Sequence, residues 1–99
     1  MAQRRSNRQV QPQTGTDKAF GLALREIRTA KGLSQEGLAH EAGVDRSYVS
    51  LLERGLKSPT LRMVFKLAGI LGVAAAELVG RTETVMGTRP PDPGSGFSR

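Results

Sequence analysis

Residues 33–55 read LSQEGLAHEAGVDRSYVSLLERG, and this stretch decides the fold. Gln35 and Ala39 lie four apart, Gly43 follows four later, Val49 six beyond that and Leu52 three beyond Val49. The spacing predicts two short helices around a tight turn, a helix-turn-helix. Ser34 can cap the first helix by accepting from its unpaired amides, and Gly43 can take the left-handed conformation that ends it. Asp45 then caps the second. Leu38, Ala39 and Ala42 make one apolar face, with Ala39 small enough for a close crossing, and Val49 and Leu52 are the facing contacts.

This assignment leaves the outer side of the second helix to Arg46, Ser47, Ser50 and, at its end, Arg54. No member of that set is apolar, which makes it the candidate recognition face. A cation in the first turn opposes the helix macrodipole, so local stability gives no reason for Arg46. An anionic partner does. The plainer reading, a solvated arginine whose charge Asp45 offsets, fits one isolated arginine better than it fits the whole pattern.

Working outward, the 99 residues are 37% hydrophobic and 4% aromatic, with no tryptophan and no cysteine. One small, mostly aliphatic core follows, suited to an all-α bundle rather than a β-sandwich. Disulfides and thiolate metal sites are excluded, and the single histidine, His40, falls on an outward face, so no metal cluster and no cofactor is expected. No apolar run approaches the roughly 18 residues of a membrane span, and no signal-peptide core follows the N-terminal arginines. A soluble, cytoplasmic protein is expected. Net charge is +6, of which Arg4, Arg5 and Arg8 supply half within the first 16 residues. The isoelectric point near 10.8 is the electrostatic footprint of a nucleic-acid binder, although anionic membranes or acidic proteins also attract such a balance.

Beyond the motif, Ile27-Arg28, Lys31-Gly32-Leu33-Ser34-Gln35, Leu52-Glu53-Arg54-Gly55, Ser58-Pro59, Leu67-Ala68 and Leu71-Gly72-Val73 together resemble the phage-repressor-like (Cro and C1 type, XRE) family of bacterial and phage transcriptional regulators. The resemblance covers residues 18–79. It implies a five-helix, lambda-repressor-like DNA-binding domain, a partly buried ion pair between Arg28 and Glu53, and a phosphate contact from Gln35. Gly37 departs from the family's usual strong helix former and loosens the first motif helix by about 1 kcal/mol.

Taken in order, residues 1–16 lack periodicity and read as a disordered basic arm, equally a DNA-wrapping arm or a solubilising tail. A helix capped by Thr16 or Asp17 is expected to run to Lys31 with Phe20, Ala23, Leu24 and Ile27 inward. After Gly55, a loop carries Lys57 and Ser58. Thr60 caps a helix whose stripe is Leu61, Val64, Leu67, Ala68 and Leu71. A last short helix brings Leu78 and Val79 either to the core or to a second subunit. The domain is placed at 17–80, with 81–99 a flexible Pro/Gly-rich tail.

The expected function is a sequence-specific regulator, a repressor that binds double-stranded DNA at an inverted repeat as a homodimer. Arg46, Ser47, Ser50 and Leu51 are the expected base readers, and Gln35, Tyr48, Arg54, Lys57 and Ser58 the expected phosphate contacts. The alternative is an antitoxin or other protein-binding module that also represses its own operon, with the tail as its toxin-binding extension. An enzyme is not expected. No paired carboxylates, activated nucleophile or phosphate-cradling loop is present, and no small-molecule ligand or membrane partner is indicated.

Overall fold

A computed structural model describes residues 15–87 as five helices without a strand. They are α1 (Gly15–Ala30), α2 (Gln35–Ala42), α3 (Arg46–Glu53), α4 (Leu61–Leu71) and α5 (Ala75–Met86). The arm and most of the tail expected from the sequence lie outside these residues.

Each helix buries one stripe in a common core. α1 supplies Phe20, Ala23, Leu24 and Ile27, α2 supplies Leu38, Ala39 and Ala42, and α3 supplies Val49 and Leu52. α4 adds Val64, Leu67, Ala68 and Leu71, and α5 adds Leu78. α1 lies chiefly on α5 and also on α3, while α2 packs against α3 and α4. The largest completely buried side chains are Leu24, Leu38, Val49, Leu52, Leu67 and Leu78, and each contributes about 1.5–3 kcal/mol relative to exposure.

Three boundaries differ from the sequence reading. Leu61, expected in the α4 stripe, is 71% exposed, because the stripe begins only at Val64, one turn past the Thr60 cap. α1 starts at Gly15, ahead of the expected caps, and Asp17 sits in its first turn, where a carboxylate favours the dipole and accepts the Ser58 hydroxyl. The third difference is at the far end. α5 continues through Gly80 to Met86, so residues 81–86 are helix rather than tail.

The extension has local causes. Thr82 is buried, its hydroxyl donating to the Leu78 carbonyl at 2.9 Å, and Arg81 reaches Glu26 of α1 at 3.1 Å and Glu77 at 3.7 Å. Leu78 closes the core while Val79 stays outside it. A chain ending at Gly80 is therefore expected to melt about 5–10 °C below one ending at Gly87, a difference that thermal circular dichroism measures directly. Equal melting temperatures would place Arg81 and Thr82 outside the cooperative unit.

Two glycines let α1 approach the end of α3 backbone to backbone. A Cβ on Gly21 would stand 2.4 Å from the carbonyl oxygens of Leu52 and Glu53. One on Gly55, whose φ is +75°, would meet the Cα of Lys18 at 2.8 Å. These contacts set where α3 ends relative to α1.

Candidate nucleic-acid interface

The two motif helices are held at their ends by the predicted caps. The Ser34 hydroxyl accepts from the Gly37 amide at 2.8 Å, and Gly43, at φ +71°, closes α2 with its amide directed to the last carbonyls. Asp45 accepts from the Ser47 amide at 3.3 Å and also from the Ser47 hydroxyl. Those two bonds, hydroxyl first, hold the Asp45 carboxyl below its ordinary value, with Arg46 adding to the effect. A depressed carboxyl stabilises the cap above the usual carboxylate range and loses that contribution as pH falls through its folded value. Gly37 has a reason as well: a Cβ there would crowd the cap, 3.2 Å from the Ser34 hydroxyl oxygen.

Burial of Val49, Leu52 and Glu53 turns the opposite side of α3 outward. Arg46 and Ser47 are exposed, and Ser50 and Leu51 are half-buried beside them. Arg54 and Lys57 are exposed beyond the helix end. Tyr48 is half-buried as well and packs against the core. The expected base readers thus share one helix, and two cations flank its C-terminal end.

Behind this face lies a polar network of three residues. Arg28 holds Glu53 with two bonds, Nε to Oε2 at 2.6 Å and Nη2 to Oε1 at 3.0 Å, and donates through Nη1 to the Leu33 carbonyl at 2.8 Å. The side chains are 9% and 3% exposed, so the pair is buried, and its two bonds make it a bidentate clamp between α1 and α3. Gln35 joins from α2, its Nε2 donating to Glu53 Oε1 at 2.9 Å. All three helices of the site therefore meet at one carboxylate.

Two expected phosphate contacts are engaged inside the protein. Gln35 spends one amide hydrogen on Glu53, and Ser58 donates its hydroxyl to Asp17, 41 residues away. A phosphate only accepts, and in this arrangement the hydrogen of the Ser58 hydroxyl is already given to Asp17. Sequence reading missed the Gln35–Glu53 bond and the Gly21 contact. For Gly21 a signal existed: an isolated glycine inside a helical pattern carries a propensity cost that close packing accounts for.

Residues 24–78 match the profile of the helix-turn-helix family. The chain belongs to that family. A helix-turn-helix-type transcriptional regulator of Sinorhizobium fredii is 42% identical to it over 73 residues, covering 73% of this chain and 95% of the relative. The cryptic phage CTXphi transcriptional repressor RstR of Vibrio cholerae is 40% identical over 65 residues, which take in 66% of this chain and 59% of the repressor. Among solved structures, the clp gene regulator ClgR of Corynebacterium glutamicum superposes with a TM-score of 0.71 at 30% identity, covering 73% of this chain and 77% of that one. The restriction-modification controller protein C.AhdI of Aeromonas hydrophila gives 0.60 at 52% identity, over 62% of this chain and 92% of the controller. The five-helix, all-α fold of this helix-turn-helix protein is thus similar to that of the two solved regulators. No single described helix is long and apolar enough to cross a membrane.

Proposed function

We propose that this protein regulates transcription by binding double-stranded DNA with the outer side of α3, as a homodimeric repressor at an inverted-repeat operator in the cytoplasm. The observation that carries the reading is the α3 face itself. Three buried residues fix the helix against the core, and the outward side carries Arg46, the Ser47 and Ser50 hydroxyls and Leu51, with Arg54 and Lys57 beyond. A single module of this size buries roughly 600–1,000 Å² on DNA, modest for tight specific binding. A two-fold dimer doubles that and reads half-sites about one helical turn apart.

In this reading Arg46, in the first turn of α3, presents two donors to O6 and N7 of one guanine. Ser47, whose hydrogen is committed to Asp45, offers lone pairs and suits the amino group of adenine or cytosine. Ser50 contacts a neighbouring base, and Leu51 a thymine methyl. Gln35, Tyr48, Arg54 and Lys57 hold the backbone, contacts that fix register without reading sequence.

Selection of bound duplexes from random DNA tests the whole reading, with an inverted repeat as the expected product; a set without two-fold symmetry would remove the dimer. Two substitutions then separate the roles. Arg46→Ala is expected to cost about 1–3 kcal/mol at the operator and to relax the guanine preference at one position per half-site. Lys57→Ala is expected to weaken every duplex alike and to lower the log-log salt slope by about 0.9. Equal losses for Arg46→Ala on operator and random DNA would make Arg46 a backbone contact.

A further inference from the structure

We propose that Glu53 is a positioning residue for DNA: clamped by Arg28, its buried carboxylate grips the Gln35 amide and leaves that side chain one fixed hydrogen to donate to a phosphate oxygen. The inference rests on the DNA-binding reading above and deepens it.

The chemistry starts from what each group can do. A carboxylate accepts and never donates, so the bond at 2.9 Å requires the Gln35 nitrogen, and not its carbonyl, to face Glu53. That settles the orientation of the amide. The nitrogen carries two hydrogens, and Glu53 takes one. The other is the only donor the side chain can offer to an anion. Without Glu53 the amide would rotate, presenting to a phosphate its carbonyl as often as its nitrogen, and the contact would carry the entropy of ordering a free glutamine.

Arg28 explains how a carboxylate can stand so close to a polyanion. Its two bonds to Glu53 neutralise the charge, and its third anchors the guanidinium to the Leu33 carbonyl, two residues before Gln35. The network therefore runs from α1 through α3 to the first residue of α2. A pair serving stability alone would need only Arg28 and Glu53. The third member lies half at the surface, where it contributes little to burial.

The test is a double-substitution cycle on the full chain, with Gln35→Ala, Glu53→Gln and both together, binding a random-sequence 20-base-pair duplex at a temperature where circular dichroism shows each to be folded. Gln35→Ala is expected to weaken binding about fivefold, one hydrogen bond's worth. Glu53→Gln is expected to weaken it comparably, and the double variant no further. Multiplying losses would overturn the proposal, as would an unaltered affinity for Glu53→Gln. Should Glu53→Gln not fold, the Gln35 side-chain amide of the unaltered protein is followed by nuclear magnetic resonance as duplex is added. One amide hydrogen is expected to keep its shift while the other moves; movement of both, or of neither, would overturn it. Failure of the unaltered protein to bind any duplex is a different result, which removes the DNA-binding reading itself.

Discussion

Arg28→Met is expected to destabilise the domain by about 3–5 kcal/mol, enough to leave a protein of this size largely unfolded at 37 °C. The loss is large because of what stays behind. The Glu53 side chain is 3% exposed, and without Arg28 its carboxylate keeps, among the described residues, the Gln35 amide alone as a side-chain partner. An exposed pair would be worth roughly 0–1 kcal/mol, and the Arg81–Glu26 pair at 3.1 Å serves as that comparison within the same molecule. Chemical denaturation of Arg28→Met beside Arg81→Met checks both. A shift below 1 kcal/mol for Arg28→Met would mean that the pair is hydrated in solution.

Gly21→Ala carries the second large effect, expected at about 3 kcal/mol or more, although alanine is the better helix former. Its Cβ would overlap the carbonyl oxygens of Leu52 and Glu53 at 2.4 Å, and neither is the end of a flexible side chain that could swing aside. α1 would have to lift from the end of α3. Gly69 of α4 is the control, since nothing lies within 4 Å of its Cβ position. There the same substitution is expected to stabilise by about 0.5–1 kcal/mol through propensity alone. Opposite signs in the two melting curves would establish that packing, and not helix preference, governs Gly21. Equal signs would show that α1 and α3 stand further apart.

How far the molecule could be read from its residues depends on the range of the interaction. Capping by Ser34, Asp45 and Thr60 and termination at Gly43 and Gly72 are local, and these positions follow from side-chain chemistry two or three residues away. The stripes of α1 to α3 were equally legible because apolar residues repeat at helical intervals. Leu61 misled for the same reason: it has the right spacing but lies at the very start of α4, before the helix meets the core. The end of α5 was hidden by composition, since Gly80 looks like a terminator and the buried position beyond it is filled by Thr82, which satisfies its hydroxyl on its own helix.

The site shows a similar division. Which residues face outward on α3 could be read from its buried side. Which hydrogens remain free could not. Residue type says what Gln35, Ser47 and Ser58 are able to donate, but the partners that take those hydrogens are Glu53, Asp45 and Asp17, and two of the three are distant in sequence. The Arg28–Glu53 clamp, 25 residues apart, was expected only through the family resemblance, because two complementary charges alone do not say that they meet.

The packing of α1 on α5 also governs what happens as the chain is made. The first helix leaves the ribosome with its main partner still unsynthesised, and at about 5–20 residues per second the wait lasts some seconds. During that time Phe20, Leu24 and Ile27 have only part of their cover, and the Glu26–Arg81 bridge has one end. A product interrupted before Ala75 would contain every residue of the recognition helix and yet lack the wall against which α1 rests. Incomplete chains thus lack the packing of α1 on α5, and closure of the common core waits on synthesis of the last helix.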